Sequence, residues 1–562
     1  MLGLKTKHYF RNFTLLITAG IIVLIGIEVV FLSNSTRGIL ILMLNSRVSD
    51  VVCSDVMEFC NMAKQANLAE ELGYGRGAAF VDIDDDGWED IWVSGNTLSP
   101  SKDGNGISKI FRNQRDGTFV SMDIGIEYKD LSMTYSGSFA DFDNDGDSDL
   151  LMANGGYSGD ATLALYRNDL KNKGVFIRVN EEANITEELR AWWGTSWADY
   201  DLDGWLDFIA VDRTGQAWLY HNLGNGTFEE VAQKKGIHAK FLNGKNPIWF
   251  DYTNNGYPDL FLAGYPNHYF YRNDGAGKFV DVTDSALILP QDHPVYYYDG
   301  SFAVVSADFN QDGLEDLYLG ISINQDLVFI NQGDGTLMGF SREAGLDMLT
   351  FERDNDSSEP TMGLGVGDIN GNGYPDILIG TGDVCEKCAF VDLVYCNVTK
   401  SNPRYEVKFE RCSDWVVQGH GKNRTHGIIL GDPNHDGNVE IFFNLGGDPN
   451  YDRLTGYDSR SLNTFYVRNP EFSFNALNTA TIHLVGTTSN RDAVGARIKI
   501  EGSETHYYTV QSAQGFQSQN SDWITVSLGD AESATIIVTW PSGNRTINAV
   551  QAGERITILE KE

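Results

Sequence analysis

The sequence predicts an all-β protein, a seven-bladed β-propeller followed by a smaller all-β domain. Three observations predict it. A nine-residue acidic loop occurs seven times, a short apolar strand follows each loop, and a second motif rich in Asn and Gly lies between the loops. The first residues of successive loops are 52 to 64 positions apart. This spacing is long enough for four short strands, which is the content of one propeller blade.

The chain begins with a basic segment and then an apolar one. Residues 1–12 are basic, and residues 13–32 form an apolar run of about 20 residues, enough to span a bilayer. This pattern predicts a cytoplasmic tail and a signal anchor, a single transmembrane helix, with the bulk of the chain extracellular, periplasmic or luminal. A cleaved signal peptide, giving a secreted protein, is the alternative because Glu28 interrupts the run. Residues 33–72 are expected to form a linker.

The amino-acid composition limits which classes of partner the protein can bind and indicates its cellular compartment. The 562 residues include 78 acidic and 42 basic side chains, a net charge of −36. Such a surface argues against nucleic acid and anionic lipid headgroups, and it suits a cation binder. Six cysteines predict a disulfide between Cys53 and Cys60 and two bridges of open connectivity among the others, Cys385, Cys388, Cys396 and Cys412. If the source organism glycosylates, the sequons are Asn34, Asn184, Asn225, Asn355, Asn397, Asn423 and Asn544.

The acidic loops share one pattern of oxygen-bearing side chains. These occupy positions 1, 3, 5 and 9, and Gly occupies position 6, where it allows a sharp turn. Ca²⁺ takes roughly six to eight oxygen ligands in flexible geometry, so the pattern predicts several bound Ca²⁺ ions. An EF-hand is excluded because the ninth position closes the loop and a strand follows it. A solvated acidic turn is the alternative for any single loop, but seven copies with one spacing count against it.

The expected metal ligands differ in charge between loops. The first three loops are rich in carboxylates, with the candidate ligands Asp82, Asp84, Asp86, Asp90; Asp141, Asp143, Asp145, Asp149; and Asp199, Asp201, Asp203, Asp207. The fifth and seventh loops are intermediate, with Asp308, Asn310, Asp312, Asp316 and Asp432, Asn434, Asp436, Glu440. The sixth has two carboxylates among Asp368, Asn370, Asn372 and Asp376. The fourth loop, from Asp251 to Asp259 with Thr253 at position 3, is the first expected to lack an ion, because lower charge weakens binding.

The segments around the loops predict the remaining strands. The strand after each loop is apolar without alternation, as in DLLMA after the second loop, which is typical of a strand buried on both faces. The second motif, for example LYHNLGNGTF, predicts a hairpin because Asn and Gly tolerate positive φ. Its Asn residues are Asn113, Asn168, Asn222, Asn273, Asn331, Asn397 and Asn469. The predicted propeller covers residues 73–475.

The quoted motifs resemble two known families. Copies such as GSFADFDNDGDSDLLMANG are similar to FG-GAP (VCBS-type) repeats, calcium-loop blades also found in integrin α-chain heads. Residues 476–562 resemble the ASPIC/UnbV domain, especially at Gly495-Ala496-Arg497, Ser518-Gln519 and Trp540-Pro541-Ser542-Gly543. This pairing is the architecture of the cartilage acidic protein-like family, whose members carry secretion signals or membrane anchors. The resemblance implies a calcium-loop propeller outside the cytoplasm.

The expected function is a non-enzymatic extracellular calcium-binding scaffold for adhesion or interaction. Ca²⁺ would order the blades, and the partner would be an extracellular protein or a glycan. The alternative is an extracellular enzyme acting on polysaccharide, which a propeller fold does not exclude. The sequence has no G-x-S-x-G, HExxH or helix-opening G-x-G-x-x-G motif, so no catalytic residue is predicted. Side chains weighed for catalysis or sugar stacking, but interpreted as surface or packing residues, are His420, His426, His435, Trp192, Trp193, Trp197 and Tyr296–Tyr298.

Overall fold

The structure is a computed structural model. It describes residues 58–69, 73–95, 108–127, 130, 134–155, 161–240, 243–265, 267–289, 301–321, 326–340, 343–346, 361–381, 392–400, 407–412, 424–447, 460–469 and 478–561. These residues all belong to one compact unit, residues 51–562. They contain 36 strands and three one-turn helices, α1 (Leu170–Lys173), α2 (Ala232–Lys235) and α3 (Thr283–Ala286). The all-β prediction is confirmed.

The described residues contain seven sheets that repeat one antiparallel pattern. The first four are β2–β5 (Gly75–Val81, Asp90–Gly95, Lys109–Asn113, Phe119–Met122), β6–β9 (Thr134–Ala140, Asp149–Asn154, Ala164–Asp169, Val175–Arg178), β10–β13 (Trp192–Ala198, Asp207–Asp212, Ala217–Asn222, Phe228–Glu230) and β14–β17 (Asn243–Phe250, Asp259–Tyr265, Tyr269–Asn273, Phe279–Asp281). The fifth and sixth are β19–β22 (Ser301–Ala307, Asp316–Ile321, Leu327–Asn331, Leu337–Phe340), with the two-residue β18 (Leu287–Ile288) at its edge, and β23–β26 (Thr361–Gly367, Asp376–Thr381, Leu393–Asn397, Phe409–Arg411).

The seventh sheet combines the two ends of the repeat region. It contains β27 (Thr425–Gly431), β28 (Glu440–Leu445) and β29 (Thr464–Arg468), and its fourth strand is β1 (Phe59–Asn61). Phe59 pairs with Arg468 and Asn61 with Tyr466, antiparallel. The strand β1 lies within residues 33–72, the segment that the sequence assigns to a linker. The pairing ties the start of the repeat region to its end.

The first strand of each sheet lies innermost. These seven inner strands, β2, β6, β10, β14, β19, β23 and β27, contact one another in chain order, and β27 contacts β2. The second strands are buried along their length, as β3, β7 and β11 show, and this confirms the interpretation of their unbroken apolar sequences. Apolar clusters fill the space between neighbouring sheets, for example Trp197 and Phe208 with Leu151. A closed ring of such sheets is consistent with a β-propeller.

The C-terminal domain is a separate pair of sheets. One contains β30 (Asn478–Val485), β33 (Ile524–Gly529) and β36 (Arg555–Leu559); the other contains β31 (Arg497–Glu501), β32 (Thr505–Thr509), β34 (Ser533–Thr539) and β35 (Arg545–Gln551). Its core includes Ile482, Ile536 and Trp540. The carboxylate of Glu560 accepts the Ser542 hydroxyl and the backbone N–H groups of Thr487, Thr488 and Ser489. These hydrogen bonds outweigh the cost of burial and lower the pKa of Glu560 to about 2.

The single-pass membrane localisation expected from the sequence is corrected by the structure. Among the described residues no helix is long and apolar enough to cross a bilayer. The helices found there have four residues each. The run at 13–32, on which the expectation depended, lies outside the described residues, as do the tail at 1–12 and the triplet Tyr296–Tyr298.

The cysteine and sequon predictions have mixed outcomes. Cys396 and Cys412 form one of the bridges expected among four cysteines. Cys60 is disulfide-bonded as well, while its predicted partner, Cys53, lies outside the described residues, as do Cys385 and Cys388. The sequon residue Asn397 is fully buried, so it serves the fold and is no glycan acceptor in the folded chain.

Candidate metal-binding loops and their covering domain

The first Asp of each acidic loop holds the turn closed. In the second loop, Asp141 Oδ1 accepts the N–H of Asp145 at 3.0 Å and Oδ2 accepts that of Gly146 at 2.8 Å. The same pair of bonds is made to Asp82, Asp199, Asp251, Asp308 and Asp432. In the sixth loop, Gly373 donates to Asp368. Because the Gly at position 6 has positive φ in every loop, the turn closes without strain.

In the first six loops, the ninth residue accepts a hydrogen bond from the third strand of its sheet. Asp207 Oδ1 accepts the N–H of Asn222 at 2.8 Å, and Oδ2 accepts that of Tyr200 at 3.2 Å. Equivalent bonds from the repeated Asn reach Asp90, Asp149, Asp259, Asp316 and Asp376. These acids are buried, as expected for residues that begin the buried second strand of each sheet.

The repeated Asn residues also join neighbouring sheets. The side-chain amide of Asn222 donates to Leu206 O in its own loop at 3.1 Å and to Phe142 O in the preceding loop at 2.8 Å. Asn168, Asn273, Asn331 and Asn397 make the same two bonds, and Asn113 reaches back from the first sheet to Pro433 in the seventh. None of the seven Asn residues has positive φ, so the sequence interpretation is corrected: six of these Asn residues bridge loops, and Gly, together with Arg115 in the first sheet, supplies the positive φ of the hairpins.

Replacing Asn222 with alanine is expected to lower the free energy of unfolding by about 3 kcal/mol. The change leaves two buried carbonyls without a donor, at about 1 to 3 kcal/mol each. The exposed Asn225, whose side chain bonds only within its own turn, is the matched control and should cost less than about 1 kcal/mol as alanine. Denaturant unfolding of both variants measures the difference, and equal losses would contradict the bridging role.

Carboxylates converge in four of the seven loops. Ligand atoms lie within 4.8 Å of one another in the groups Asp82, Asp84, Asp86; Asp141, Asp143, Asp149; Asp199, Asp201, Asp203; and Asp432, Asp436, Glu440. A further group contains Asp201, Asp207 and His221. Each of these clusters could hold a metal ion. In the fourth loop Thr253 Oγ1 donates to Asp251, so position 3 is already engaged within the loop. The assignment of individual ligands and of empty loops stays a prediction.

Burial makes these carboxylates costly to ionise. Desolvation, followed by neighbouring acids, raises the pKa of Asp141 to about 8, and desolvation raises that of Asp199 to about 7. Burial likewise raises the pKa of Asp90 to about 8. At neutral pH such a cluster either keeps protons or binds a cation that offsets the repulsion.

Basic side chains partly neutralise the first two loops. Arg112 Nε lies 2.5 Å from Asp84 Oδ2, and its Nη2 lies 3.1 Å from Asp86 Oδ2. Lys171 contacts Asp147 in the second loop and Asp85 in the first. These cations are substantially exposed, so each pair contributes little to stability. They offset charge at the edge of the loops and make no ion pair with the buried carboxylates of Asp90 and Asp149 at position 9.

The C-terminal domain covers the acidic loops. Arg491 Nε lies 3.5 Å from Asp141 Oδ2, and Arg555 Nη1 lies 3.4 Å from Asp432 Oδ2. Arg497 donates to Gly313 O at 2.8 Å and contacts Asn254. In the sixth loop Ser527 Oγ donates to Gly371 O at 2.7 Å. No local pattern predicts these contacts, because the residues involved are separated by more than 100 positions.

One segment of this domain enters the ring of inner strands. We call residues 511–521, QSAQGFQSQNS, the plug. Gln519 exchanges backbone hydrogen bonds with Ala78 and Phe80 in β2, and its side chain exchanges two more with Phe139 in β6. Ser512 Oγ bonds Trp197 in β10, and Gly515 O accepts from Asn246 in β14.

The plug reaches the remaining three inner strands as well. Gly515 N–H donates to Val304 O in β19 at 3.0 Å. Asn520 Nδ2 donates to Val366 O in β23 at 3.2 Å, and its Oδ1 accepts from Leu430 N in β27 at 3.0 Å. The plug therefore hydrogen-bonds to all seven inner strands, and it satisfies backbone groups that face the axis of the ring.

A ring of large side chains lies beneath the plug. Each inner strand has a register irregularity near its start, and these bulges include Arg76, Tyr135, Trp193, Lys245, Phe302, Met362 and His426. Tyr135 stacks on Trp193 at 5.1 Å, Lys245 Nζ lies 3.6 Å from the Trp193 ring centre, and Arg76 Nη1 lies 3.4 Å from His426. We call this set the channel ring.

The aromatic and histidine candidates occupy different places. Trp192 and Trp197 pack in the core between sheets, as expected, whereas Trp193 lies in the channel ring. His426 contacts the plug residue Phe516, and its pKa is lowered by burial and then by Arg76. His435 instead stacks on Trp88 at 3.8 Å. His420 lies outside the described residues, so no joint histidine site is found among those described.

Comparison with known families matches both parts of the chain. An FG-GAP-like repeat model matches residues 82–152, 141–210, 199–262, 251–319 and 308–379, together more than half of the sequence. The chain belongs to the FG-GAP-like repeat family. The ASPIC and UnbV model matches residues 486–562, so this family member carries a C-terminal ASPIC/UnbV domain after its propeller.

Curated relatives match this chain at low identity. The chain is similar to cartilage acidic protein 1 of Mus musculus, 25% identical over 334 residues, which cover 56% of this chain and 50% of that protein. It is 24% identical to cartilage acidic protein 1 of Homo sapiens over 334 residues, covering 56% and 48%. The matched region thus spans about half the length of these relatives.

Solved structures align with this chain at low similarity. An Agrocybe aegerita lectin that recognises non-reducing terminal N-acetylglucosamine aligns with 17% identity and a TM-score of 0.38, over 62% of this chain and 83% of the lectin. BBS1N, solved in complex with ARL6DN, aligns with 9% identity and a TM-score of 0.38, over 72% of this chain and 95% of that chain.

Proposed function

We propose that this protein is a non-enzymatic extracellular interaction scaffold whose seven sheets are the blades of one propeller, ordered by Ca²⁺ and locked by the plug. The observation that carries the proposal is that one segment bonds every inner strand while its domain covers the acidic loops. The propeller is expected to be rigid. Release of the plug would leave backbone groups of all seven sheets without hydrogen-bond partners, which costs free energy.

Calcium is the favoured ion for most loops. The candidate ligands are carboxylate, amide and carbonyl oxygens, which are the donors that Ca²⁺ prefers. Mg²⁺ retains several waters and needs an octahedral site, so a short loop with many carboxylates suits it less. A bound ion would also relieve the repulsion between Asp141 in the second loop and Asp492 in the covering domain, whose carboxylate accepts the Asp141 N–H at 2.8 Å.

A disulfide bond and the name of the curated relatives both support an extracellular location. Disulfides such as Cys396–Cys412 persist in oxidising compartments. The name of the curated relatives, cartilage acidic protein 1, also fits a location outside cells. The proposed partner is an extracellular protein or a glycan.

The enzyme alternative depends on the channel ring, which brings cations and aromatic rings together. Arg76, Lys245 and His426 beside Tyr135 and Trp193 would suit an acidic sugar. Burial counts against the enzyme alternative: Arg76 is 2% exposed and His426 is 3% exposed, and the plug covers both side chains. A substrate would have to displace the plug to reach these side chains.

The scaffold proposal is tested by measuring ligand binding and polysaccharide cleavage with the same protein preparation. The purified, calcium-loaded chain is applied to a glycan array and to immobilised matrix proteins, with and without chelator, and is assayed for cleavage of acidic polysaccharides. The expected result is binding that requires Ca²⁺, without cleavage. Cleavage that is lost in His426→Ala or Tyr135→Phe would overturn the proposal in favour of an enzyme.

A further inference from the structure

The third acidic loop has an imidazole nitrogen donor, His221, at the position where the first, second and fourth loops have arginine. The residue before the repeated Asn is Arg112, Arg167 and Arg272 in the first, second and fourth sheets, and His221 in the third. Arg112 shows that a side chain at this register reaches the loop, since it pairs with Asp84 and Asp86. A guanidinium stays protonated and has no lone pair for a metal, whereas a neutral imidazole can coordinate one.

The geometry around His221 suits a small ion. His221 Nδ1 lies 3.0 Å from Asp207 Oδ1 and 3.7 Å from Asp201 Oδ2. The three ligand atoms all lie within 4.8 Å of one another. An ion with bonds of about 2.0 to 2.2 Å places its ligand atoms roughly 3 to 3.5 Å apart. Only small movements are therefore needed to bring three donors onto one ion, and Asp199 and Asp203 lie beside them in the same loop.

Two buried polar atoms beside this cluster lack hydrogen bonds. Tyr200 is fully buried, and its hydroxyl, which lies beside the carboxylates of Asp207 and Asp201, makes no well-aligned hydrogen bond with either. Asp201 Oδ1 is likewise buried without a partner. Leaving such groups unsatisfied costs about 1 to 3 kcal/mol each, so a ligand at this point is favoured.

We propose that the third loop binds a divalent first-row transition ion, of the Zn²⁺ class, through Asp201, Asp207 and Nδ1 of His221. An ion-bound water would then meet the Tyr200 hydroxyl. This inference rests on the proposed metal binding of the loops and changes the class of ion at one of them. Imidazole favours transition ions, while Ca²⁺ favours oxygen donors only. The chain thus holds one loop selective for a softer ion among loops that suit calcium.

The test uses Co²⁺ as a spectroscopic probe on the full chain after removal of metals. One equivalent of Co²⁺ is expected to give visible absorption bands that Zn²⁺ abolishes and excess Ca²⁺ leaves unchanged. His221→Arg, which installs the side chain of three other sheets, and His221→Gln should each weaken Co²⁺ binding roughly 100-fold while keeping the Ca²⁺-dependent rise in melting temperature. Arg167→His is the matched gain variant, because it gives the carboxylate-rich second loop the same histidine, and it should add a second equivalent.

The outcomes separate this inference from the proposed function. Unchanged Co²⁺ affinity and spectrum in both His221 variants would overturn the role of His221. Displacement of Co²⁺ by Ca²⁺ with equal ease would overturn the selectivity, although calcium binding by the loops would stand. If neither Ca²⁺ nor Co²⁺ changes the melting temperature or the absorption spectrum, the proposed metal binding itself fails.

Discussion

Replacing Gly515 with alanine is expected to lower the free energy of unfolding by about 3 to 4 kcal/mol and to release the plug. Gly515 has φ +68°, and a Cβ atom built there would lie 1.9 Å from Leu364 O. The left-handed conformation costs a non-glycine residue about 1 to 2 kcal/mol. Overpacking against backbone adds about 1 to 3 kcal/mol, because backbone gives way less than a flexible side chain does.

A second glycine, Gly553, serves as a control that separates backbone strain from the steric clash of the added Cβ atom. Gly553 has φ +77°, and a Cβ there would meet nothing within 4 Å. Gly553→Ala should therefore cost only the strain, about 1 kcal/mol. Denaturant unfolding compares the two variants, and limited proteolysis reports whether residues 511–521 become accessible. If Gly515→Ala and Gly553→Ala lose the same stability and the plug stays protected in both, the close contact of Gly515 with Leu364 is unimportant.

Removal of divalent cations is expected to lower the melting temperature by roughly 10 °C or more. A site occupied at 100 times its dissociation constant adds about 2.7 kcal/mol. For a chain of this size, each kcal/mol corresponds to about 1 °C, and several sites act together. The measurement is thermal unfolding after chelation, followed by addition of Ca²⁺ or Mg²⁺. Ca²⁺ should restore stability better than Mg²⁺, and unchanged melting throughout would contradict a structural metal.

The metal-free protein should also lose stability as pH rises. Burial raises the pKa of Asp90 and of Asp141 to about 8 in the folded chain, from an ordinary value of 3.8. The folded state then binds more protons than the unfolded state, so stability is highest below about pH 4 and falls as pH rises through about 8. Melting in the absence of metal should be lower at about pH 8 than at about pH 5.5, and the gain from Ca²⁺ should be larger at the higher pH. A metal-free protein that melts equally at both values would contradict this electrostatic account.

The acidic loops could be placed from sequence because their chemistry is local. Positions 1 and 9 lie close together whenever Gly closes the turn, so the ligand sets of the first three loops were predictable as sets. The clusters of Asp82 and of Asp141 with their neighbours agree with that pattern. His221 was missed since it lies 14 residues beyond Asp207, on a strand that only sheet pairing brings back to the loop.

The role of the repeated Asn illustrates the limit of local reasoning. Sequence pattern favoured a turn, because Asn is common at positive φ. Its actual partners lie in the preceding sheet, as with Asn113 and Pro433, which are 320 positions apart. Nothing in a nine-residue window specifies such a partner.

The sequence by itself determined the repeated sheets, the acidic turns and the family of this protein, because unbroken apolar strands, glycine position and loop spacing act within each unit of about 60 residues. Only the tertiary structure decided how the units are closed and covered. Pairing of Phe59 with Arg468, contact of Gln519 with Ala78 and Phe139, and the channel ring all join residues distant in the chain. Their free energy depends on which backbone groups the closed ring leaves facing its axis, and that is a property of the assembled fold.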